Sequence, residues 1–400
     1  MAVLTFRPLD VFIRRRELVL LFLINTLMSL GMNLTNALWP LYVQSLGATV
    51  LQVSFLISIT GVAGTLLRIP SGVISDTYGR RTIIIASIAL AIAPPVLYTF
   101  SSHWEHLIPW GIMYAIAFAL YMPSRMAIVA DYTSIETRIQ VYSIMNLAFP
   151  LGNLISPTLS GVLEAAYGWN AVFYVATALY VVCLVPGLAL PTPPRREGDG
   201  GEDSAIPRGR LDVAFFRSLF PFFLLNFFTG LGSGTVSAIT PIYLTDRFQV
   251  STAEVGLFLS IGFGLTTMLT QIPAGVVAER VGRKRFIAAC FALIPVLFLL
   301  WTAIDDVMLL LPVQMAINGL WTMTWPAFLT LLMDHVPGAR RGVASGITQA
   351  GVMLGFTVGP TIGGYLWELL GPIVPYYASG LFFMLCLPIV PLIQEARKTT

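Results

Sequence analysis

The chain has 400 residues, of which 56% are hydrophobic and 11% charged, and its mean hydropathy is +0.80; soluble proteins carry about 25% charged residues, so this one belongs in a lipid bilayer. The net charge of +3 is small and the basic residues fall in short clusters, so no nucleic-acid partner is expected. Cys183, Cys290 and Cys386 each lie inside an apolar run, which excludes a disulfide framework and a metal cluster, and no cofactor is expected.

A helix crosses the hydrocarbon core in roughly 20 apolar residues. By that measure twelve spans are predicted, at 18–43, 51–75, 82–100, 107–131, 139–165, 169–190, 216–245, 252–277, 285–303, 307–333, 343–369 and 373–394. The fold class is an all-α membrane protein of twelve transmembrane helices. Residues 1–190 form an N-terminal six-helix bundle, 191–215 a polar linker and 216–400 a C-terminal six-helix bundle. Arg14, Arg15 and Arg16 precede span 1, but its apolar run is too long for a signal peptide, whose apolar region covers about 7–15 residues. Lys and Arg near span ends stay on the cytoplasmic side. With both termini cytoplasmic, all but Arg68, Arg125 and Arg247 of the 23 basic residues fall on that side. A plasma-membrane location with the lipid bilayer as partner follows.

Span 1 carries Asn25, Ser29, Asn33 and Asn36, which at about 100° per residue fall within about 80° of one another and make a polar stripe. Unpaired amides facing lipid are expensive, so the stripe should face the interior and line a substrate cavity. The phrase Ile69 to Arg80 closes span 2 with Gly72, Asp76, Gly79 and Arg80. Its chemistry suggests that Gly72 admits a neighbouring helix, Gly79 a tight turn, and Asp76 a contact with a helix N-terminus. Arg68 and Arg125 lie within spans, about 12 Å and 9 Å along the helix from Asp76 and Asp131. Such arginines either gate, attract an anionic group with Asp131 as partner, or snorkel to the interface. His103 and His106 at the mouth of span 4 lack the further ligands of a metal site. Tyr114, Tyr121 and Asn146 add polar cavity surface in the first half, and span 5 carries small residues at Gly152, Ser156, Ser160 and Gly161 around Pro157.

The second half repeats the first. Ile272 to Arg283 copies the phrase with Gly275, Glu279, Gly282 and Arg283, and at the same offset of 203 Asp131 matches Asp334 and Arg138 matches Arg341. At 201, Asn25, Gly31, Pro40 and Tyr42 match Asn226, Gly232, Pro241 and Tyr243. Span 7 has its own stripe of Asn226, Thr229, Ser233, Ser237 and Thr240, span 10 offers Gln314, Asn318, Trp321, Thr322 and Trp325, and span 11 carries Gly355, Gly359, Gly363 and Gly364 around Pro360. Arg68 and Arg125 have Gln271 and Phe328 as repeat partners, so the duplicated scaffold does not require them. Six spans per copy send the second copy in along the same direction, which implies parallel halves about an axis normal to the membrane.

With Gly72-x-x-x-Asp76-x-x-Gly79-Arg80-Arg81 and the weaker copy Gly275, Glu279, Gly282, Arg283 and Lys284, the chain resembles the major facilitator superfamily of secondary transporters along essentially its whole length. The resemblance implies that Asp76 contacts the start of span 11 near Gly342, that Arg80 pairs with Asp131, and, by the repeat, that Glu279 faces the start of span 5 and Arg283 pairs with Asp334, all as gating contacts. Span 5 is similar to that of the family's exporters but has serine for two glycines. A central acid of the proton-coupled kind is missing from spans 1 and 4.

The expected function is secondary active transport of a small-molecule substrate by alternating access, as an exporter of small, largely apolar molecules with protons as the candidate coupling ion. The chain is expected to act as a monomer and not as an enzyme. The alternatives are an importer or facilitator of an organic anion held near Arg68 or Arg125, and a non-transporting membrane receptor.

Overall fold

The computed structural model describes Phe12 and residues 15–133, 135–192, 213–337 and 340–393. The linker from 193 to 212, Arg14, Arg397, Lys398 and the side chain of Arg138 lie outside the described residues, and with them much of the charge on which the orientation was argued.

The described chain is helical, and each predicted span has its helix. Span 1 runs as Arg16–Asn36 and restarts as Trp39–Ser45, while span 7 runs as Val213–Ser237 and restarts as Thr240–Phe248. Both restarts place a proline, Pro40 or Pro241, in the first turn, where a missing N–H is harmless. Span 5 divides at Leu147 into Ile135–Asn146 and Ala148–Tyr167. Span 8 opens as Thr252–Leu259, passes through a π-helical turn at Ser260–Leu265, and closes as Thr266–Val281.

Among the described residues, ten helices are long and apolar enough to cross a membrane. The remaining two spans are 5 and 11, whose helices Ala148–Tyr167 and Arg341–Leu370 are diluted by glycine, serine, threonine and proline. Those small residues serve helix packing. A Cβ at Gly355 would stand 2.4 Å from the Phe227 carbonyl oxygen, one at Gly359 2.8 Å from that of Leu231, and one at Gly363 2.0 Å from that of Thr235, so spans 7 and 11 meet backbone to backbone. In the first half Gly152 lies against Ser29 and Asn33, and Ser156 Oγ donates to the Leu30 carbonyl at 3.0 Å.

The repeat is carried into the backbone. Gly79 and Gly282, 203 residues apart, take φ 89° and 93°, and Gly168 and Gly371 take 78° and 101°, a region that favours glycine and turns the chain from one helix into the next.

Two compact units emerge. The first is Met1–Gly47, Ile59–Arg196 and Ser251–Ser260; the second is Ala48–Ser58, Glu197–Val250 and Ile261–Thr400. The opening turns of spans 2 and 8 thus belong with the unit opposite to their place in the chain. Glycine faces explain it: the Cβ of a residue replacing Gly364 would lie 2.6 Å from Ser54 Oγ, and one replacing Gly161 2.2 Å from the Thr252 carbonyl oxygen. The core of the first unit is built on Leu18, Leu21, Ile24, Ile84, Ile88, Tyr121 and Tyr180.

Candidate functional site

Three features carry polar chemistry. The first is a pair of matched ion pairs. Arg80, which follows the Gly79 turn, bonds Asp131 at the end of the span 4 helix Leu107–Asp131, lies 3.4 Å from Asp76 and donates to the Ala127 carbonyl at 3.3 Å. Arg283, which follows the Gly282 turn, bonds Asp334 near the end of the span 10 helix Val307–His335. Asp131 is 15% exposed and Asp334 51%, so the first pair is the more desolvated. Glu279 is exposed. A Cβ at Gly72 or Gly275 would meet nothing within 4 Å. The expectation that Gly72 admits a close helix therefore fails in this structure; open space surrounds it.

The second feature lies inside the first unit. Arg125, 6% exposed, donates to Asn25 Oδ1 at 2.8 Å and toward Asn146 Oδ1 at 3.4 Å, with its guanidinium 5.5 Å from the centre of the Phe149 ring. Asn25 accepts from the Tyr121 hydroxyl at 3.2 Å and donates to the Met145 carbonyl at 2.5 Å. Asp131 is taken by Arg80 and so is not the partner of Arg125, and a side chain this buried does not snorkel. Span 1's amide and span 5's amide replace the carboxylate. Ser29 and Asn33 seat against Gly152, and Asn33 donates to the Ser29 carbonyl at 2.9 Å, so this part of the stripe is spent on packing span 1 against span 5. Asn36 and Asn146 are exposed, as is Arg68.

The third feature is a cavity of about 220 Å³ inside the second unit. Span 7 supplies Ser233, Val236, Ser237 and Thr240; span 10 supplies Gln314, Ile317, Asn318 and Trp321; Phe263, Phe298, Phe356, Tyr376 and Phe383 complete it. Asn318 donates to the Phe263 carbonyl at 3.2 Å and lies 3.3 Å from Thr267 Oγ1, which ties span 10 to the π turn of span 8. A π turn rotates the residues after it and often marks a functional site. Here it presents Phe263 to the cavity.

Of the residues expected to form a substrate cavity, the structure gathers Ser233, Ser237, Asn318 and Trp321 here, and Asn25, Tyr121, Arg125 and Asn146 in the first unit. Asn226 turns back to the Phe222 carbonyl at 3.1 Å, Thr229 back to that of Leu225 at 2.6 Å, and Trp325 stacks on Phe328 with centres 6.3 Å apart. Apart from Trp321, the five aromatic residues of the lining carried no signal in the sequence, because an aromatic ring in an apolar span reads the same whether it faces lipid or a cavity. Only the Gly262-Phe263-Gly264 run hinted at irregular backbone.

A twelve-span helical protein built from two copies of one six-helix unit, with a ligand-sized cavity among its membrane helices, is a multi-pass membrane transporter in class. Known proteins agree. An uncharacterized MFS-type transporter of Methanocaldococcus jannaschii is 24% identical over 88% of this chain and 92% of its own length. Multidrug resistance protein 1 of Bacillus subtilis is 21% identical over 85% of this chain and 87% of its own. The crystal structure of a bacterial homolog of the human lysosomal transporter Spinster, inward-facing and unoccupied, shares the fold with a TM-score of 0.79 at 15% identity, over 94% of this chain and 96% of that one. The chain belongs to the Major Facilitator Superfamily, whose family model matches residues 21–221 and 222–399.

Proposed function

We propose that the protein exports small, largely apolar molecules across the plasma membrane by alternating access, with both termini in the cytoplasm and protons as the exchanged ion. The observation that carries this reading is the cavity of the second unit, walled by aromatic rings and by the polar faces of spans 7 and 10, with no ionisable side chain other than the Tyr376 phenol among the described residues of its lining. Such a lining favours uncharged guests. The likeness to a multidrug resistance protein supports export, and the Arg80–Asp131 and Arg283–Asp334 pairs serve as gating contacts that stiffen the ends of spans 4 and 10.

The test is transport in proteoliposomes with a panel of fluorescent apolar compounds, with and without an imposed pH gradient. Gradient-dependent movement out of the compartment that represents the cytoplasm supports proton-coupled export. Movement down a concentration gradient alone removes the coupling, and movement of no compound removes transport in favour of a receptor role.

A second reading rests on Arg125, a buried cation whose partners among the described residues are neutral. It favours uptake of an organic anion, whose carboxylate would supply the missing charge. Anion uptake that survives Arg125→Ala unchanged overturns it.

A further inference from the structure

We infer that the cavity of the second unit binds an uncharged, flat aromatic molecule that presents an amide-like hydrogen-bonding edge to Gln314. The inference names the substrate class of the transport reading above and rests on it.

Gln314 is 6% exposed and lines the cavity, yet its side-chain amide makes no hydrogen bond with any described residue. A primary amide has two donors and an acceptor with two lone pairs, and leaving such a group unmatched in an apolar setting is costly. The Gln314 amide is therefore offered to whatever occupies the cavity. The Tyr376 ring also lines the cavity, with its hydroxyl buried beside Thr240 and Trp301. Phe263, Phe298 and Trp321 supply flat faces.

The repeat shows that the scaffold does not need these groups. At the offset of 203, Gln314 and Tyr376 correspond to Gly111 and Phe173. In the first unit a Cβ at Gly111 would stand 2.7 Å from the Thr60 methyl, so that space is filled by the protein itself. Nearby, the Tyr114 and Tyr180 hydroxyls bond each other at 2.7 Å, where the second unit has Ile317 and Phe383. One copy pairs these hydroxyls with each other. The other leaves about 220 Å³ beside an unmatched amide.

Size and charge narrow the guest. An apolar cavity of roughly 150 Å³ takes benzene, so this one suits a substituted or fused ring. A carboxylate or ammonium would find no counter-charge in the lining and would lose its hydration without return.

The experiment uses the full chain in lipid nanodiscs and three probes on one skeleton: 2-naphthamide, 2-naphthoate and 2-naphthylmethylammonium, titrated calorimetrically without any gradient. The amide should bind at least about tenfold more tightly than either ion. Gln314→Met, similar in volume, should abolish that preference, and Gln314→Glu should turn it toward the ammonium. Equal binding of the three probes, binding of none, or a preference unchanged in Gln314→Met overturns the inference. A protein that discriminates the amide but moves no compound in proteoliposomes keeps the pocket and loses the transport reading; transport without discrimination does the reverse.

Discussion

At the position where the first unit buries Arg125, the second buries Phe328, and the surroundings differ to match. Around Arg125, spans 1 and 5 supply two amides and an aromatic face, and Asn25 gives its oxygen to the guanidinium. Around Phe328 lie the rings of Phe222, at 5.7 Å, and Trp325, and the corresponding Asn226 has turned its amide back onto its own helix. The same amide thus does opposite work in the two copies, decided by whether a cation faces it. A buried arginine is held in this protein by neighbours from other helices, and the copy without the cation fills the place with rings. The polar groups of the second unit appear elsewhere, around its cavity.

Transplanting the cation tests this most severely. Phe328→Arg puts a charge among rings: the repeat keeps an amide at both cradle positions, but Asn226 is turned onto its own helix and Gln349 is exposed, and burying an uncompensated charge destabilises by several kcal/mol. The variant should fail to give a monodisperse peak on size exclusion. If it folds with wild-type melting, the two amides at 226 and 349 suffice and the cradle argument is wrong.

The next contrast concerns packing. Gly363 corresponds to Ser160, which is fully buried in the first unit, so Gly363→Ser imports a side chain already accepted by the other copy. In the second unit its Cβ would stand 2.0 Å from the Thr235 carbonyl oxygen. Spans 7 and 11 must separate, with an expected loss of about 1–3 kcal/mol in thermal unfolding, whereas Gly275→Ala, in open space, should lose nothing. Equal melting of the two variants would show that the close approach of the helices is not required.

Removing the cation has a milder effect than adding one. Arg125→Met keeps much of the apolar stem and forfeits the bond to Asn25, so a loss of about 1.5–3 kcal/mol is expected. Asn25 Oδ1 keeps the Tyr121 hydroxyl. An unchanged melting temperature would mean that the cradle contributes nothing net to stability.

The fold was legible in the sequence because duplication is a long-range signal: two copies of the Gly-Arg turn, one acid per span end and the offsets of 203 and 201 relate the paired helices and their order. Spans 5 and 11 were read from apolar length like the others, and the repeat supports them where their small residues lower their hydropathy. The site was less legible. Helical spacing placed Asn25, Ser29, Asn33 and Asn36 on one face but carries no information about depth, so it did not distinguish an amide against a buried arginine from one packed on Gly152 or left exposed at the helix end. Span 7's stripe divided in the same way: Ser233 and Ser237 reach the cavity, while Asn226 and Thr229 bond their own helix. The exchange of residues 48–58 and 251–260 between units left no mark in composition at all.

The finest contrast is between the two ion pairs, which the sequence renders as equals. Arg80 touches two carboxylates and a carbonyl, and Asp131 is largely withdrawn from solvent; Arg283 has Asp334, which is half exposed. Exposed pairs contribute about 0–1 kcal/mol, while truncating the partner of a desolvated carboxylate leaves that group short of hydrogen bonds, at about 1–3 kcal/mol. Arg80→Ala should therefore destabilise more than Arg283→Ala in parallel melts of the two variants. Salt separates the causes further. At 1 M, where the screening length falls to about 3 Å, the small effect of Arg283→Ala should vanish and most of that of Arg80→Ala should persist, because the latter comes from unmade hydrogen bonds and not from Coulomb attraction through water. Equal losses, or equal sensitivity to salt, would show that both pairs act as surface charges and that the repeat is symmetric here after all.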